Sequence, residues 1–352
     1  MPQTSTSLLA RIRRDAAPAA KRLLFSVGAY EAVRRVRPSR GLAILRYHAV
    51  CGSQGHVYAE PGICVTPEAF ERHVAYLSSA YRILPLPEAA ACIGTGRTLP
   101  ANAVAITFDD GYADNLAAAQ VLHRYGVSAT FYITAGCLKG DAPFWPSEIR
   151  QLVSRLVTPV IELRAGPVRM SIPCSTADER RSAVRTLGRL FKSNTIPIRE
   201  QLRDQLRAAA GGGDTTSYML TWDEVREMHR LGMTIGAHTV THPNLPSAGP
   251  ADANAEITGS RARLERELDA RVTMFSYPNG GAERYMTPEV AGLVRDAGFE
   301  AATTSRNAFA GRDSDPFALE RVQVAERIED LIFALEVERF AFRPHARPGE
   351  AD

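Results

Sequence analysis

From residue 41 onward the chain alternates short apolar runs with longer stretches in which apolar residues recur every three or four positions. The apolar runs predict strands at Leu42–Tyr47, Val104–Phe108, Ala129–Ile133, Met233–Gly236, Thr273–Tyr277, Glu300–Thr304 and Ala318–Val324. The periodic stretches Pro67–Ala80, Asp114–Tyr125, Thr221–Leu231, Ala253–Ala270 and Pro288–Ala297 predict helices between most of them. Strand alternating with helix argues for an α/β protein with a parallel sheet, and this many repeats favours closure into a barrel.

Three regions depart from that rhythm. Residues 8–36 place Leu8, Leu9, Ile12, Ala16, Ala19, Leu23, Val27, Tyr30 and Val33 at helical spacing with arginines between them, and Pro18 is expected to kink or divide the helix. The segment 1–40 thus reads as a basic amphipathic helical unit. It suits peripheral contact with an anionic membrane surface through residues 8–40, and equally a helix packed across the outside of the domain. The stretch 139–217 is far longer than a usual strand-to-helix connection. It holds Phe144-Trp145, a polar helix-like run from Ala177 to Ala210 and the hinge Gly211-Gly212-Gly213, and is read as an insertion over one barrel end. Residues 41–330 then form the barrel with its insertion. Residues 331–352 are the end of a C-terminal helix and a Pro-rich polar tail, expected to be disordered.

Composition adds limits. A chain of 352 residues with 45% hydrophobic and 23% charged residues falls in the globular range. No apolar run approaches the roughly 20 residues of a membrane-spanning helix, which excludes a transmembrane anchor. The net charge of +3 is too small to argue for a nucleic-acid partner, but residues 8–40 carry nine basic and two acidic side chains, so the remainder is net acidic. Five cysteines, an odd number without a CxxC, are expected as reduced thiols. The N-terminus shows no continuous apolar core of a signal peptide, and the expected location is cytoplasmic.

In a parallel barrel the functional side chains gather at the C-terminal ends of the strands. The strand ending at Phe108 is followed by Asp109-Asp110-Gly111, and the strand ending at Gly236 by Ala237-His238-Thr239-Val240-Thr241-His242-Pro243. Two imidazoles four residues apart and a carboxylate from another strand make an N,N,O donor set suited to zinc. With Asp110 on the metal, Asp109 is left as a base for an activated water. The structural alternative is that either aspartate caps the following helix.

Thr107-Phe108-Asp109-Asp110-Gly111-Tyr112, taken with Gly236 to Pro243, resembles the first two motifs of the polysaccharide deacetylases, the NodB-homology family of carbohydrate esterases. The resemblance covers roughly Leu42 to Val324. It implies a distorted (β/α) barrel of about seven strands and metal-dependent removal of an N-acyl group from an amino sugar. It also implies Asp109 as the base and Asp110, His238 and His242 as metal ligands. Phe275-Ser276-Tyr277-Pro278-Asn279-Gly280 is similar to a third family motif, a strand ending in Arg-Pro-Pro-Tyr/Trp-Gly, and assigns the backbone amide of Asn279 to the oxyanion.

Two positions depart from the family. Ser276 stands where the family has the arginine beside its base, and Leu319-Glu320-Arg321 stands where it has Leu-x-His, the general acid. Arg321 is expected to reach back to Asp109 and restore the cation. His48, in Leu45-Arg46-Tyr47-His48, is the candidate acid, since a Tyr-His signature recurs in the branch resembling poly-N-acetylglucosamine deacetylases; the alternative is a histidine bonded to a loop. Tyr112, Tyr277 and Trp145 are candidate sugar contacts, with core packing as the alternative reading for Tyr112 and Trp145. The expected activity is zinc-dependent N-deacetylation of amino sugars in a polysaccharide or glycoconjugate. The alternatives are deformylation or deacylation of a lipid-linked amino sugar at the cytoplasmic membrane face, and a catalytically weak glycan-binding barrel.

Overall fold

A computed structural model describes residues 18–279 and 286–341. Seven parallel strands, β1 (Ala43–Tyr47), β2 (Ala103–Phe108), β3 (Thr130–Ile133), β4 (Thr234–Ala237), β5 (Met274–Ser276), β6 (Ala301–Asn307) and β7 (Leu319–Gln323), pair each with its neighbours in sequence, and β1 closes on both β2 and β7. The product is a closed seven-stranded barrel. Each predicted strand is present, and the short pair Arg82–Ile83 adds to the outside of β2.

Strand parity sorts the side chains into layers. Ala43, Leu45, Val104, Ile106, Phe131, Ile235, Phe275 and Val322 point outward into the main apolar core under the helices. Ile44, Ala105, Tyr132, Met274, Ala301 and Leu319 form a second apolar cluster with the helix Leu86–Gly94, which the periodicity reading did not anticipate. Two residues further along the same strands stand Arg46, Thr107, Thr134, Ser276, Thr303 and Arg321, so that an apolar layer is topped by a polar one. Gly236 is required within this packing, because a Cβ there would lie 2.6 Å from the ring of Tyr132.

The helices, in chain order, are α1 (Pro18–Ser26), α2 (Ala29–Val36), α3 (Pro67–Ala80), α4 (Leu86–Gly94), α5 (Asn115–Arg124), α6 (Trp145–Arg155), α7 (Ala177–Lys192), α8 (Ile196–Ala209), α9 (Trp222–Arg230), α10 (Leu245–Ala248), α11 (Pro250–Leu268), α12 (Pro288–Asp296) and α13 (Ile328–Glu336). Within its described part the helix read across residues 8–36 is broken at Gly28, whose φ of 72° takes the chain out of the helix between α1 and α2; the expected break at Pro18 falls at the edge of the described residues. Residues 8–17 lie outside the described residues, as does the tail expected to be disordered. Both α1 and α2 lie against α13: Lys21 pairs with Asp330 at 3.0 Å and stands over the Phe333 ring, whose edge Tyr30 meets. Among the described residues no helix is long and apolar enough to cross a membrane, and all five cysteines are free thiols.

The insertion has its own apolar core, built from Trp145, Ile149, Leu152, Ile161, Leu163, Leu187, Phe191 and Leu202 among others. It consists of α6, an antiparallel hairpin of Val160–Ala165 and Val168–Pro173, α7 and α8. The polar run read as one stretch from Ala177 to Ala210 is two helices. The chain leaves α7 at Ser193 and restarts with Pro197 in the first turn of α8, where its missing N–H costs nothing.

Candidate active site

The polar layer opens into a cleft of about 480 Å³ at the C-terminal end of the barrel, lined by the barrel mouth on one side and by α6 and α7 on the other. Asp109 follows β2 directly and is 3% exposed. Its two carboxylate oxygens each accept a 2.7 Å hydrogen bond from Arg321, from Nη1 and from Nη2. The remaining donors of Arg321 go from Nε to the Thr304 carbonyl at 2.7 Å, from Nη1 to Thr107 Oγ1 at 3.2 Å and from Nη2 to Ser276 Oγ at 3.1 Å. All five N–H groups of a buried guanidinium are therefore satisfied. Burial alone would raise the Asp109 pKa; the Arg321 charge, helped by His238, reverses this and holds the group well below the ordinary carboxylate range. The small Ser276 leaves the space through which Arg321 reaches its partner.

Asp110, the next residue, turns away from the pair with a φ of 78°. Its Oδ1 lies 3.4 Å from Nε2 of His238 and 3.4 Å from Nε2 of His242. The three donor atoms cluster within 4.8 Å, and all three residues are buried. Donors shared by one zinc ion at roughly 2.0–2.1 Å in tetrahedral directions stand about 3.3 Å apart, so the cluster fits such an ion. Nδ1 of His238 donates to the Ser276 carbonyl at 2.7 Å, which leaves the Nε2 lone pair facing Asp110. Burial pushes the His242 pKa down, against the pull of Asp110, and keeps that imidazole neutral as a ligand must be. Burial likewise opposes ionisation of Asp110, but the two facing imidazoles hold its pKa well below the usual value.

Neither aspartate caps a helix: the N-cap position of α5 is Asp114, whose carboxylate accepts instead from the Val50 amide and the Tyr58 hydroxyl. Among the described residues, four of the six non-glycine residues with positive φ, Asp110, Thr239, His242 and Asn279, lie at this site. Such left-handed backbone is costly for residues with a Cβ and clusters where function demands it.

The loop 238–242 is clamped from three directions. The carboxylate of Glu256, on α11, accepts from the amides of Val240 and Thr241 and from the Thr241 hydroxyl. Arg199, on α8, donates to Thr241 Oγ1 at 2.9 Å. The indole of Trp145 donates to the His242 carbonyl at 3.1 Å. Beneath the loop, a Cβ at Gly136 would lie 2.7 Å from the Val240 carbonyl, so the chain after β3 approaches as closely as glycine allows.

The sequence profile of the family described as Polysaccharide deacetylase matches residues 96–157 and 193–302. The chain belongs to the polysaccharide deacetylase family. A Bacillus subtilis (strain 168) protein, YxkH, whose name marks it as a candidate polysaccharide deacetylase, is 22% identical over 308 residues, 87% of this chain and 79% of its own length. Two solved structures share the fold: the Streptococcus pyogenes deacetylase PplD in complex with acetate, at 17% identity and TM-score 0.56 over 85% of this chain and 99% of that one, and IcaB from Ammonifex degensii, at 18% and 0.55 over 85% and 98%. The enzyme is accordingly a hydrolase of the deacetylase class, and its family acts on polysaccharides.

The deacetylase fold brings Asp109, Asp110, His238, His242, Arg321, His48 and Asn279 into one cleft. Nε2 of His48 lies 3.7 Å from Asp109 Oδ2, while its Nδ1 is buried with no partner among the described residues, so its ring is not spent on a loop. Burial, opposed by the neighbouring carboxylates, pushes the His48 pKa down to about 4. The candidate sugar contacts fare differently. Tyr112 is 1% exposed and its ring packs between Tyr58 and Phe144. Tyr277 donates its hydroxyl to the Phe317 carbonyl and packs on Phe275. Trp145 is likewise buried and serves the loop of His242. Sequence reading overlooked Glu256, Arg199 and Arg46, and the first two carry no local signal: each is one charged residue on an amphipathic helix. Arg46 has one, a cation at the C-terminal end of a barrel strand, beside the His48 that was noticed.

Proposed function

We propose that this deacetylase removes N-acetyl groups from amino sugars of a glycan, using a divalent cation held by Asp110, His238 and His242. The observation that carries the reading is the juxtaposition, in one cleft, of a buried Asp109–Arg321 pair and a buried Asp/His/His cluster. Zinc suits the donor set, and when bound there it supplies a Lewis acid that polarises an acyl carbonyl and acidifies a water.

The chain's own groups do the rest. Asp109 is ionised throughout the working range and takes the proton from the attacking water; its low basicity is compatible with the role because that water is acidified. Arg321 keeps Asp109 charged and fixes its plane. The amide of Asn279, whose left-handed backbone sets its direction, is the donor to the developing oxyanion, and a backbone N–H needs no particular side chain. His48 is neutral at pH 7, so it enters the reaction without a proton to give. It relays one to the departing amine after Asp109 has collected it, across the 3.7 Å that separates them. The restored cation favours an active enzyme over a silent glycan-binding barrel.

A second reading, with the sugar presented at a membrane surface as a lipid-linked substrate, is favoured by the exposed Leu23, Leu24 and Val27 on and just after α1. The test is acetate and formate release, with added zinc, from N-acylated oligosaccharides and lipid-linked amino sugars. Release by wild type, reduced about 10²–10⁴-fold in Asp109→Ala, is expected. No release from any substrate by zinc-loaded protein would overturn the proposal, and formate release confined to lipid-linked sugars would replace it with the second reading.

A further inference from the structure

The side of the cleft opposite the barrel mouth is lined by α7, which presents Arg185, Arg189 and Lys192 at i, i+4 and i+7, with Gly188 between them. Across from them, Arg46 of β1 also lines the cleft and hydrogen-bonds through its guanidinium to the neutral side-chain oxygen of Gln323. The carboxylates of the same cleft are committed elsewhere: Asp109 to Arg321, Asp110 to the two imidazoles and Glu60 to Arg150. Among the described residues no carboxylate makes an ion pair with Arg46, Arg185 or Arg189. Arg189 and Lys192 also border an adjoining hollow of about 530 Å³ that contains Asn244 and Ser247, so the basic wall extends beyond the reacting centre. The family profile matches the chain on either side of residues 158–192 and not within them, and α7 lies there. The wall is thus a feature of this chain rather than of the matched family pattern.

Resting on the reading of this cleft as the site of deacylation, we propose that the wall is a subsite for an anionic substituent, a phosphate or a carboxylate, carried by the glycan near the N-acyl sugar. A neutral polymer of N-acetylhexosamine can accept hydrogen bonds from Arg185 and Arg189 but leaves unmatched the charge of these two guanidiniums, which no carboxylate pairs among the described residues. An oxyanion gains charge-assisted hydrogen bonds from the guanidinium forks and is drawn by the field of the cleft. The insertion therefore selects the substrate while the barrel mouth reacts with it.

The experiment compares three probes, chitotetraose, chitotetraose 1-phosphate and a tetrasaccharide alternating glucuronate with N-acetylglucosamine, on the full chain and on the double variant Arg185→Gln, Arg189→Gln. Acyl release gives kcat/KM, and calorimetric titration gives Kd independently of turnover. The expected result is that wild type prefers at least one anionic probe over the neutral one by tenfold or more in kcat/KM and in Kd. The double variant should lower that ratio at least tenfold. A preference for the 1-phosphate alone identifies a glycosyl phosphate as the source of the anion, and one for the glucuronate probe alone identifies an acidic polymer. A wild-type ratio near one, or a ratio unchanged in the variant, overturns the subsite. If no probe releases an acyl group, the deacylation reading fails, and the Kd ratio still decides the subsite by the same two criteria.

Discussion

The barrel mouth and the insertion facing it both offer arginine to the cleft, under opposite conditions. Arg321 is 1% exposed, with every N–H bonded to the barrel and its charge matched by Asp109. Arg185 and Arg189 stand exposed on α7, and among the described residues no carboxylate pairs with either. A guanidinium whose donors are all used inside the protein fixes geometry and has nothing left for a ligand, whereas one left unmatched at a cleft wall is available to a ligand's charge. The same residue type therefore fixes a buried carboxylate in one region and, in the proposed subsite, meets the substrate in the other.

This contrast is broken most severely at Arg321. Arg321→Met would leave Asp109 buried without its cation, and the expected loss is about 3–5 kcal/mol of stability, measured by denaturant unfolding. Its pH dependence follows from sign: a carboxylate with a folded pKa below its unfolded value of about 3.9 adds stability that is complete above that value and vanishes as pH falls through the folded one. The stability difference between wild type and Asp109→Asn should then be flat from about pH 5 to 8 and shrink only below about pH 4. A difference that shrinks near neutrality would show that the pair is not what holds Asp109 ionised.

A smaller effect is expected at the contact between the two regions. Trp145→Phe keeps the ring in the insertion core but removes the donor to the His242 carbonyl, and zinc affinity measured by competition with a chelator should fall about 10-fold. No change would mean that Glu256 and Arg199 hold the ligand loop without the indole. The mildest perturbation is salt: raising ionic strength from about 0.05 to 0.5 M shortens the screening length. It should lower kcat/KM for an anionic probe several-fold more than for a neutral one, through the exposed arginines of α7 and not through the buried pair.

Much of the site was legible because its residues sit at strand ends, where parity and the change from strand to loop confine what a side chain can face. Asp109-Asp110 and the two histidines were found that way, and the pairing of Arg321 with Asp109 was anticipated from the resemblance to the family, whose motif arginine is Ser276 here while Arg321 is the surplus cation. The hairpin of the insertion was not found, although Ile161, Leu163 and Ala165 alternate with Glu162 and Arg164 ahead of Gly166-Pro167. That period-two signal was masked by the length of the segment and by the polar helices that follow it. The contacts of Tyr277 and Trp145 were not legible either, because an aromatic residue near a strand end looks the same whether its polar tip meets sugar or a backbone carbonyl.

What the sequence alone determined is the alternation of seven apolar strands with amphipathic helices, and the donor types that follow the strands. Those properties are periodic or local, and the physics that reads them acts over a few residues. Only the tertiary structure decided how Arg321 distributes its five donors around Asp109, how Glu256, Arg199 and Trp145 hold the loop of His238 and His242, and that α7 turns its basic face toward the cleft. Each of these joins elements far apart in the chain, and the burial and charge balance that distinguish them exist only once the barrel has closed and the insertion has packed over its mouth.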